Sequence, residues 1–378
     1  ENRNPVRREV FHVTWDVDAA EKEGYPHFML KEIYEQPKAI EETIARRLDE
    51  AGNIRLDGIS LTKEDLANIS RIYIVACGTA YHAGLVGKFI IEKLAKIPVE
   101  VDVASEFRYR DPLVDERTLF IAISQSGETL DTLAALRAAK AKGARVLSVV
   151  NVVGSSVARE SDDVFYTWAG PEIAVASTKA YTTQLTCMYL LALHMGRTLG
   201  TISATDYHAL LAALREIPGK LAAYLRDVRE VEALAKILYI GRGLDAAVAY
   251  EGSLKLKEIS YINSFAIAAG ELKHGTIALM EPGTLVLCLA TQDALYEKML
   301  SNIQEIKARG ALVIGVAKDN SDAIEKQSDM TIYIPDCIDE VSPVLEIVPL
   351  QILAYHIARL RGCNIDKPKN LAKSVTVE

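Results

Sequence analysis

The stretch TLFIAISQSGETLDTLAALRAAKAKG, residues 118–143, carries the fold in miniature. Its first seven residues, TLFIAIS (118–124), predict a buried strand, and LDTLAALRAAKAKG places leucines and alanines at helical spacing. Between the two lies SQSGET (124–129), a small polar loop that opens the helix. A strand, a polar loop and a helix N-terminus in that order make an anion-binding turn. Free backbone N–H groups and the positive end of the helix dipole face the ligand, and Ser and Thr hydroxyls add donors. The loop contains no Lys, so it is not a nucleotide P-loop; it suits the phosphate of a small ester. The plainer account is helix capping by Ser126, with Thr129 an ordinary surface residue.

Working outward, the same plan occurs twice. RIYIVACG (71–78) is an apolar run ending in Gly and leads into a helical pattern through about Ala95. KILYIGRG (236–243) leads into another through about Ile262. TLFIAIS has its counterpart in TLVLCLA (284–290), AKGARVLSVV (141–150) in ARGALVIGVA (308–317), and DVFYTW (163–168) in DMTIYI (329–334). The offset is 165 residues for the first pair, 166 for the second and fourth, and 167 for the third. Four landmarks in nearly constant register indicate duplication of one unit. Apolar strands alternating with amphipathic helices give parallel strands with crossover helices on both faces.

The expected fold is therefore α/β, with two duplicated, doubly wound parallel-sheet domains. Residues 1–60 form a helical N-terminal extension, 61–205 the first unit, 206–227 a helical connector, 228–362 the second unit and 363–378 a polar C-terminal tail. The second copy of the polar loop reads ATQDAL (290–295), where Asp293 would repel an anion. The phosphate site is expected in the first unit.

A chain of 378 residues with 49% hydrophobic and 25% charged residues suits two globular cores. A net charge of −8, with Lys and Arg scattered among Asp and Glu, gives no basic footprint for nucleic acid. The five cysteines include no C-x-x-C pair; Cys77, Cys187 and Cys288 lie in or beside apolar runs and read as buried free thiols of a reducing cytoplasm. The seven histidines show no metal-binding spacing. No apolar stretch is read as long enough for a membrane span, and ENRNPVRREV lacks a signal-peptide core. A cytoplasmic protein without nucleic-acid or membrane partners is expected.

Other motifs are individually weaker. CGTAYHA (77–83) is a second strand-to-helix turn, and ASTKAYTTQL (176–185) is a run of hydroxyls before a helix. Together they can line one crevice at the carboxyl ends of parallel strands. GRGLDA (241–246) partly matches the dinucleotide fingerprint, but the acidic residue expected after the next strand is missing. In KLKEISYI (255–262), Lys255 and Glu258 share a helix face with Leu244, Val248 and Ile262, while Lys257 points away. A surface ion pair is the common outcome of that spacing; at a buried edge the carboxylate can serve as a base. His274 lies in AAGELKHG (268–275), where a loop histidine is ordinarily structural or solvated.

HFMLKEIYEQP (27–37), SQSGET, ASTKAYTTQL, KLKEISYI, AAGELKHG and NLAKSVTVE (370–378) resemble the isomerase region of the glutamine–fructose-6-phosphate aminotransferases (glucosamine-6-phosphate synthases). The resemblance runs from about residue 5 to the last residue. SQSGET is shared more widely among sugar-isomerase (SIS) domains, of which the family has two. It implies that Ser124, Gln125, Ser126 and Thr129 hold the phosphate of fructose 6-phosphate, with Thr79 beside them. Ala176, Ser177, Thr178 and Ala372 would contact the sugar. Lys373, in a C-terminal tail that enters the active site, would form a Schiff base with the C2 carbonyl. Glu258 would move a proton between C1 and C2 with Lys255 close by, and His274, from a partner subunit of a homodimer, would open the sugar ring. Products would be glucose 6-phosphate or, with ammonia, glucosamine 6-phosphate. No metal or organic cofactor is required.

Family members begin with a glutaminase domain whose N-terminal Cys attacks glutamine; the chain, starting at Glu1, is expected to lack that activity. It departs from the family at Ala80, where Ser often follows CGT, and at Lys369, where the tail often has Arg. Two other readings compete. A non-catalytic SIS sensor of sugar phosphates needs the Ser loop but not Glu258, His274 and Lys373 together. An NAD-dependent enzyme would rest on GRGLDA.

Overall fold

The computed structural model describes residues 21–227, 237–319 and 321–373. Two helices, α1 (Phe28–Ala45) and α2 (Lys63–Asn68), precede the first unit. That unit runs β1 (Arg71–Ala76), α3 (Gly78–Ala95), β2 (Val99–Val103), α4 (Ala104–Phe107), β3 (Thr118–Ser124), α5 (Leu130–Ala141), β4 (Arg145–Val150), α6 (Ser156–Glu160), β5 (Asp163–Tyr166) and α7 (Lys179–Leu199). Helix α8 (Ala204–Tyr224) fills the connector. The second unit runs β6 (Ile237–Gly241), α9 (Leu244–Ser260), β7 (Ser264–Ala268), β8 (Leu285–Ala290), α10 (Tyr296–Lys307), β9 (Leu312–Lys318), α11 (Asp322–Glu325), β10 (Met330–Ile334) and α12 (Ser342–Leu360).

Each unit is a five-stranded parallel sheet, in the order β2-β1-β3-β4-β5 and β7-β6-β8-β9-β10. The duplication is thus complete in topology. It includes edge strands β2 and β7, whose starts at 99 and 264 keep the 165-residue offset. Alternation along the strands sorts side chains into layers. Ile72, Ile74 and Ala76 face one large core that spans both units, while Tyr73 and Val75 face a smaller core under α5. In β6, Ile237 and Tyr239 join the large core, and Leu238 and Ile240 face the outer core of the second unit. Helices α3, α7, α9 and α12 pack against one another in the large core, so a helical layer unites the two sheets.

Two sequence expectations need correction. The segment Asp339–Leu360 is long and apolar enough to cross a membrane, yet its apolar stretch, residues 341–358, is wholly buried. It is the core helix of a two-sheet protein, where helices with neighbours all round become apolar all round. The cysteines also divide. Cys187 and Cys288 are buried, but Cys77, Cys337 and Cys363 are partly exposed, and all five are free.

The two ends of the described chain meet. Helix α1 starts after His27, which gives no side-chain cap. Its first amides, Phe28 N and Met29 N, instead donate to the Asp366 carboxylate at 3.1 Å each. A carboxylate at a helix N-terminus satisfies orphan donors and meets the positive dipole end. Asp366 O accepts from Val175 N at 3.1 Å, and Ile365 is buried. Lys369 N donates to Tyr261 Oη at 2.9 Å, with the Lys369 ammonium 4.5 Å above that ring. The polar tail is therefore docked as far as Lys373; residues 374–378 of NLAKSVTVE lie outside the described residues.

Candidate functional site

Strand order places the reversal of the first sheet between β1 and β3, where open α/β sheets leave a crevice for ligands. A cleft of about 290 Å³ opens there. Cys77, Gly78 and Thr79 line it after β1, and Ser124, Gln125, Ser126 and Thr129 after β3. Val175 and Ser177 come from the loop before α7, Glu258 from α9, and Leu371, Ala372 and Lys373 from the tail. Segments distant in sequence, from both units, converge on one opening.

The loop after β3 has the geometry of an anion site. Ser124 Oγ accepts from Gly127 N at 3.0 Å and lies 3.3 Å from Thr129 Oγ1, while Ser126 Oγ accepts from Glu128 N at 3.2 Å. Gly127 has φ +65°, and a Cβ there would sit 2.0 Å from Ser155 Oγ, so only glycine fits. Thr129 is the N-cap of α5 but makes no side-chain cap. Thr132 Oγ1, one turn inside α5, is buried without a partner and lines the same cleft.

Lys373 reaches the cleft through a residue the sequence did not single out. Its Nζ donates to Glu172 Oε2 at 2.6 Å. Glu172 is fully buried and also accepts from Ser177 Oγ (2.8 Å), Thr178 N (2.8 Å) and Ala180 N (3.0 Å). Burial alone would raise its pKa, but the Lys373 charge and these donors hold it down at about 2. Beneath it, Glu32 of α1 accepts from Ile173 N at 2.5 Å and Ala174 N at 3.1 Å. Burial and the Glu172 charge push Glu32 up to about 8. Neighbouring carboxylates thus divide into one ionised and one protonated.

Lys255 is entirely buried at the seam between the units. Its Nζ donates to Thr79 Oγ1 at 2.8 Å and lies 2.5 Å from Glu258 Oε2 and 3.4 Å from Glu251 Oε1. Burial opposes its charge, but Glu251 and Glu258 more than compensate and raise its pKa. Glu258 Oε2 is buried and has no aligned hydrogen bond, so Lys255 holds it as a close ion pair. The i,i+3 pair of the sequence is a buried edge rather than a surface pair.

The remaining expected residues fall elsewhere. Ala176 and Thr178 are buried behind the cleft wall, and Thr178 contributes its backbone N–H to Glu172. His274 ends a 3-10 turn, Ala269–His274, is exposed, and does not line the cleft. Sequence reasoning missed Glu172, Glu251, Glu32 and Gln184, a buried cleft residue whose Oε1 has no partner. The glutamates sit in unremarkable local sequence; the only available signal was Glu251 at i−4 from Lys255.

In the second unit the corresponding loop is closed from within. Asp245, fully buried, accepts from Thr291 N (2.9 Å), Thr291 Oγ1 (2.8 Å) and Gln292 Nε2 (3.0 Å). Its carboxylate occupies the place of an anion, and at the 165-residue offset it corresponds to Ala80 in the first unit. The sequence argument blamed Asp293, but that charge is compensated by Lys318 at 3.1 Å. The same contacts fill the turn that GRGLDA would need for a dinucleotide. Among the described residues no group of three or more His, Cys, Asp or Glu is placed to hold a metal.

The profile of the SIS domain family matches residues 65–194 and 233–361, one match per sheet. A glutamine–fructose-6-phosphate aminotransferase (isomerizing) of Caldanaerobacter subterraneus is 60% identical over 99% of the chain, and one from Clostridium tetani is 57% identical over 99%. The chain spans 62% of the length of each. A solved C-terminal domain of glucosamine-fructose-6-phosphate aminotransferase from Francisella tularensis superposes with a TM-score of 0.83 at 40% identity. That match covers 92% of this chain and all of the other.

Proposed function

The chain belongs to the SIS domain family and matches the isomerase region of the glutamine–fructose-6-phosphate aminotransferases; from this we propose that it isomerises fructose 6-phosphate. With ammonia, it makes glucosamine 6-phosphate. The observation that carries the proposal is the convergence of the Ser124–Thr129 loop, Glu258 and Lys373 on one cleft. A sensor needs only the first of these.

The phosphate sits at the N-terminus of α5 among Ser124, Gln125, Ser126 and Thr129, with Thr79 opposite. Its oxygens take the backbone and hydroxyl donors that α5 leaves uncapped. The open-chain sugar then extends across the seam toward the tail, past Ser177 and Ala372. Lys373 first gives its extra proton to solvent; the amine then attacks the C2 carbonyl and water leaves, giving an imine at C2. Ammonia adds at C2 and expels the Lys373 amine, leaving a C2 imine whose C1 protons are acidic. Without ammonia, Glu258 acts on the free C2 ketone and glucose 6-phosphate forms. Glu258 takes a proton from C1 and returns it to C2. Glu172 fixes where Lys373 stands, and Lys255 fixes where Glu258 points. The enzyme is read as a cytoplasmic homodimer in which His274 acts on the partner's cleft to open the ring.

The test is direct. The purified chain, given fructose 6-phosphate and no glutamine, should produce glucose 6-phosphate in a coupled dehydrogenase assay. Tight binding without turnover would instead support the sensor.

A further inference from the structure

The charged chain at the seam extends beyond the groups that the reaction uses. From Glu258 it passes to Lys255, from Lys255 to Thr79 and Glu251, and from Glu251 Oε2 to His82 Nδ1 at 2.6 Å. Glu251 and Lys255 are wholly buried, whereas the His82 side chain is 14% exposed. The His82 ring stacks on Tyr250 at 6.3 Å between centroids and meets Tyr81 edge-on at 5.8 Å, which fixes its plane. His82 stands on α3 of the first unit, and the three groups it addresses stand on α9 of the second. We infer that His82 is a positioning residue for Glu258, acting through Glu251 and Lys255. The inference rests on the reading of Glu258 as the proton-transfer group.

One ammonium, Lys255, faces two carboxylates, Glu251 and Glu258. A buried carboxylate oxygen without a donor is costly, so each oxygen of Glu251 must be satisfied. Thr79 Oγ1 donates to Oε1 at 3.0 Å, and His82 serves Oε2. Facing a carboxylate at that distance, Nδ1 carries the hydrogen. With Glu251 so satisfied, Lys255 stays 3.4 Å from it and 2.5 Å from Glu258. Without His82, the pull on Lys255 is toward Glu251. Glu258 Oε2, which has no aligned hydrogen bond to hold it, then loses its partner and its aim. A reacting group displaced by about 1 Å loses up to about 100-fold in rate.

The experiment compares His82→Ala and His82→Gln in the whole chain. It measures kcat for fructose 6-phosphate isomerisation and the Kd for the sugar phosphate by calorimetry on the same preparations. Glutamine keeps a side-chain N–H within reach of Glu251, and alanine does not. His82→Ala should lose about tenfold or more in kcat with Kd little changed, and His82→Gln should recover most of it. An unchanged kcat in His82→Ala, equal losses in both variants, or a Kd that weakens in step with kcat overturns the inference. Wild-type chain that binds the sugar phosphate without isomerising it overturns the reading of Glu258 itself, before any variant is compared.

Discussion

The Lys373 ammonium lies 2.6 Å from the carboxylate of Glu172, a residue 201 positions earlier in the chain and wholly withdrawn from solvent. Lys373 itself keeps 25% of its side chain exposed, in the cleft. The pair joins a rigid floor to a tail that has little core of its own. Glu172→Gln keeps an acceptor for Thr178 N and Ala180 N but removes the charge that holds the ammonium. Borohydride trapping of the fructose 6-phosphate adduct should slow by at least about tenfold, since a reacting group loses its position. Trapping at the wild-type rate would show that the tail is placed by other contacts.

In the proposed mechanism Glu258 and Lys373 enter at different steps, so their variants should fail differently. Glu258→Gln should still yield a trapped adduct at Lys373 but should not isomerise. Lys373→Arg should yield no adduct, because a guanidinium is not nucleophilic at neutral pH. An adduct mapped to Lys255 would contradict the structure, where that ammonium is buried between two carboxylates.

Ser126→Ala removes a hydroxyl at the N-terminus of α5. A hydrogen bond to a charged group contributes about 1.5–3 kcal/mol, so the Kd for sugar phosphate should rise roughly tenfold or more. An unchanged calorimetric Kd would move the phosphate away from this loop.

The glutamate pair under the tail gives stability a pH dependence of definite sign. Native Glu32 titrates at about 8 against an ordinary 4.5. Between those values the folded chain holds a proton that the unfolded chain has released, so stability falls as pH rises through the interval. Glu172, held at about 2, acts oppositely: its contribution is complete above 4.5 and is lost as pH falls toward 2. Glu32→Gln preserves the acceptor for Ile173 and Ala174. It should flatten the alkaline decline seen in denaturant midpoints while leaving the acid limb in place.

Although the fold is duplicated, calorimetry should find one sugar phosphate per chain. Asp245 already binds Thr291 and Gln292 where a second anion would sit. A stoichiometry of two would mean that the internal carboxylate yields to ligand.

The sheets were legible because their signal is local. Residues 119–123 and 285–290 are apolar at every position, as strands covered on both faces must be. Strands β2 and β7 escaped notice because edge strands are half-solvated: VEVDV and SFAIA show mixed burial. The turn at SQSGET could be read for the same reason as the central strands, since strand, loop and helix are contiguous. Glu258 was singled out by its spacing from Lys255, Lys373 came only through family resemblance, and Glu172 and Glu251 not at all. What distinguishes those glutamates is burial against a partner brought from far along the chain, by the tail or by another helix. No window of neighbouring residues contains that information.

Asp366 has a mechanical consequence. Seven residues before Lys373, its carboxylate grips the first turn of α1 and its carbonyl grips Val175. Helix α1 and the tail that carries Lys373 therefore hang from one peg. Displacing that aspartate would release the first turn of α1 and the tail that carries Lys373 together.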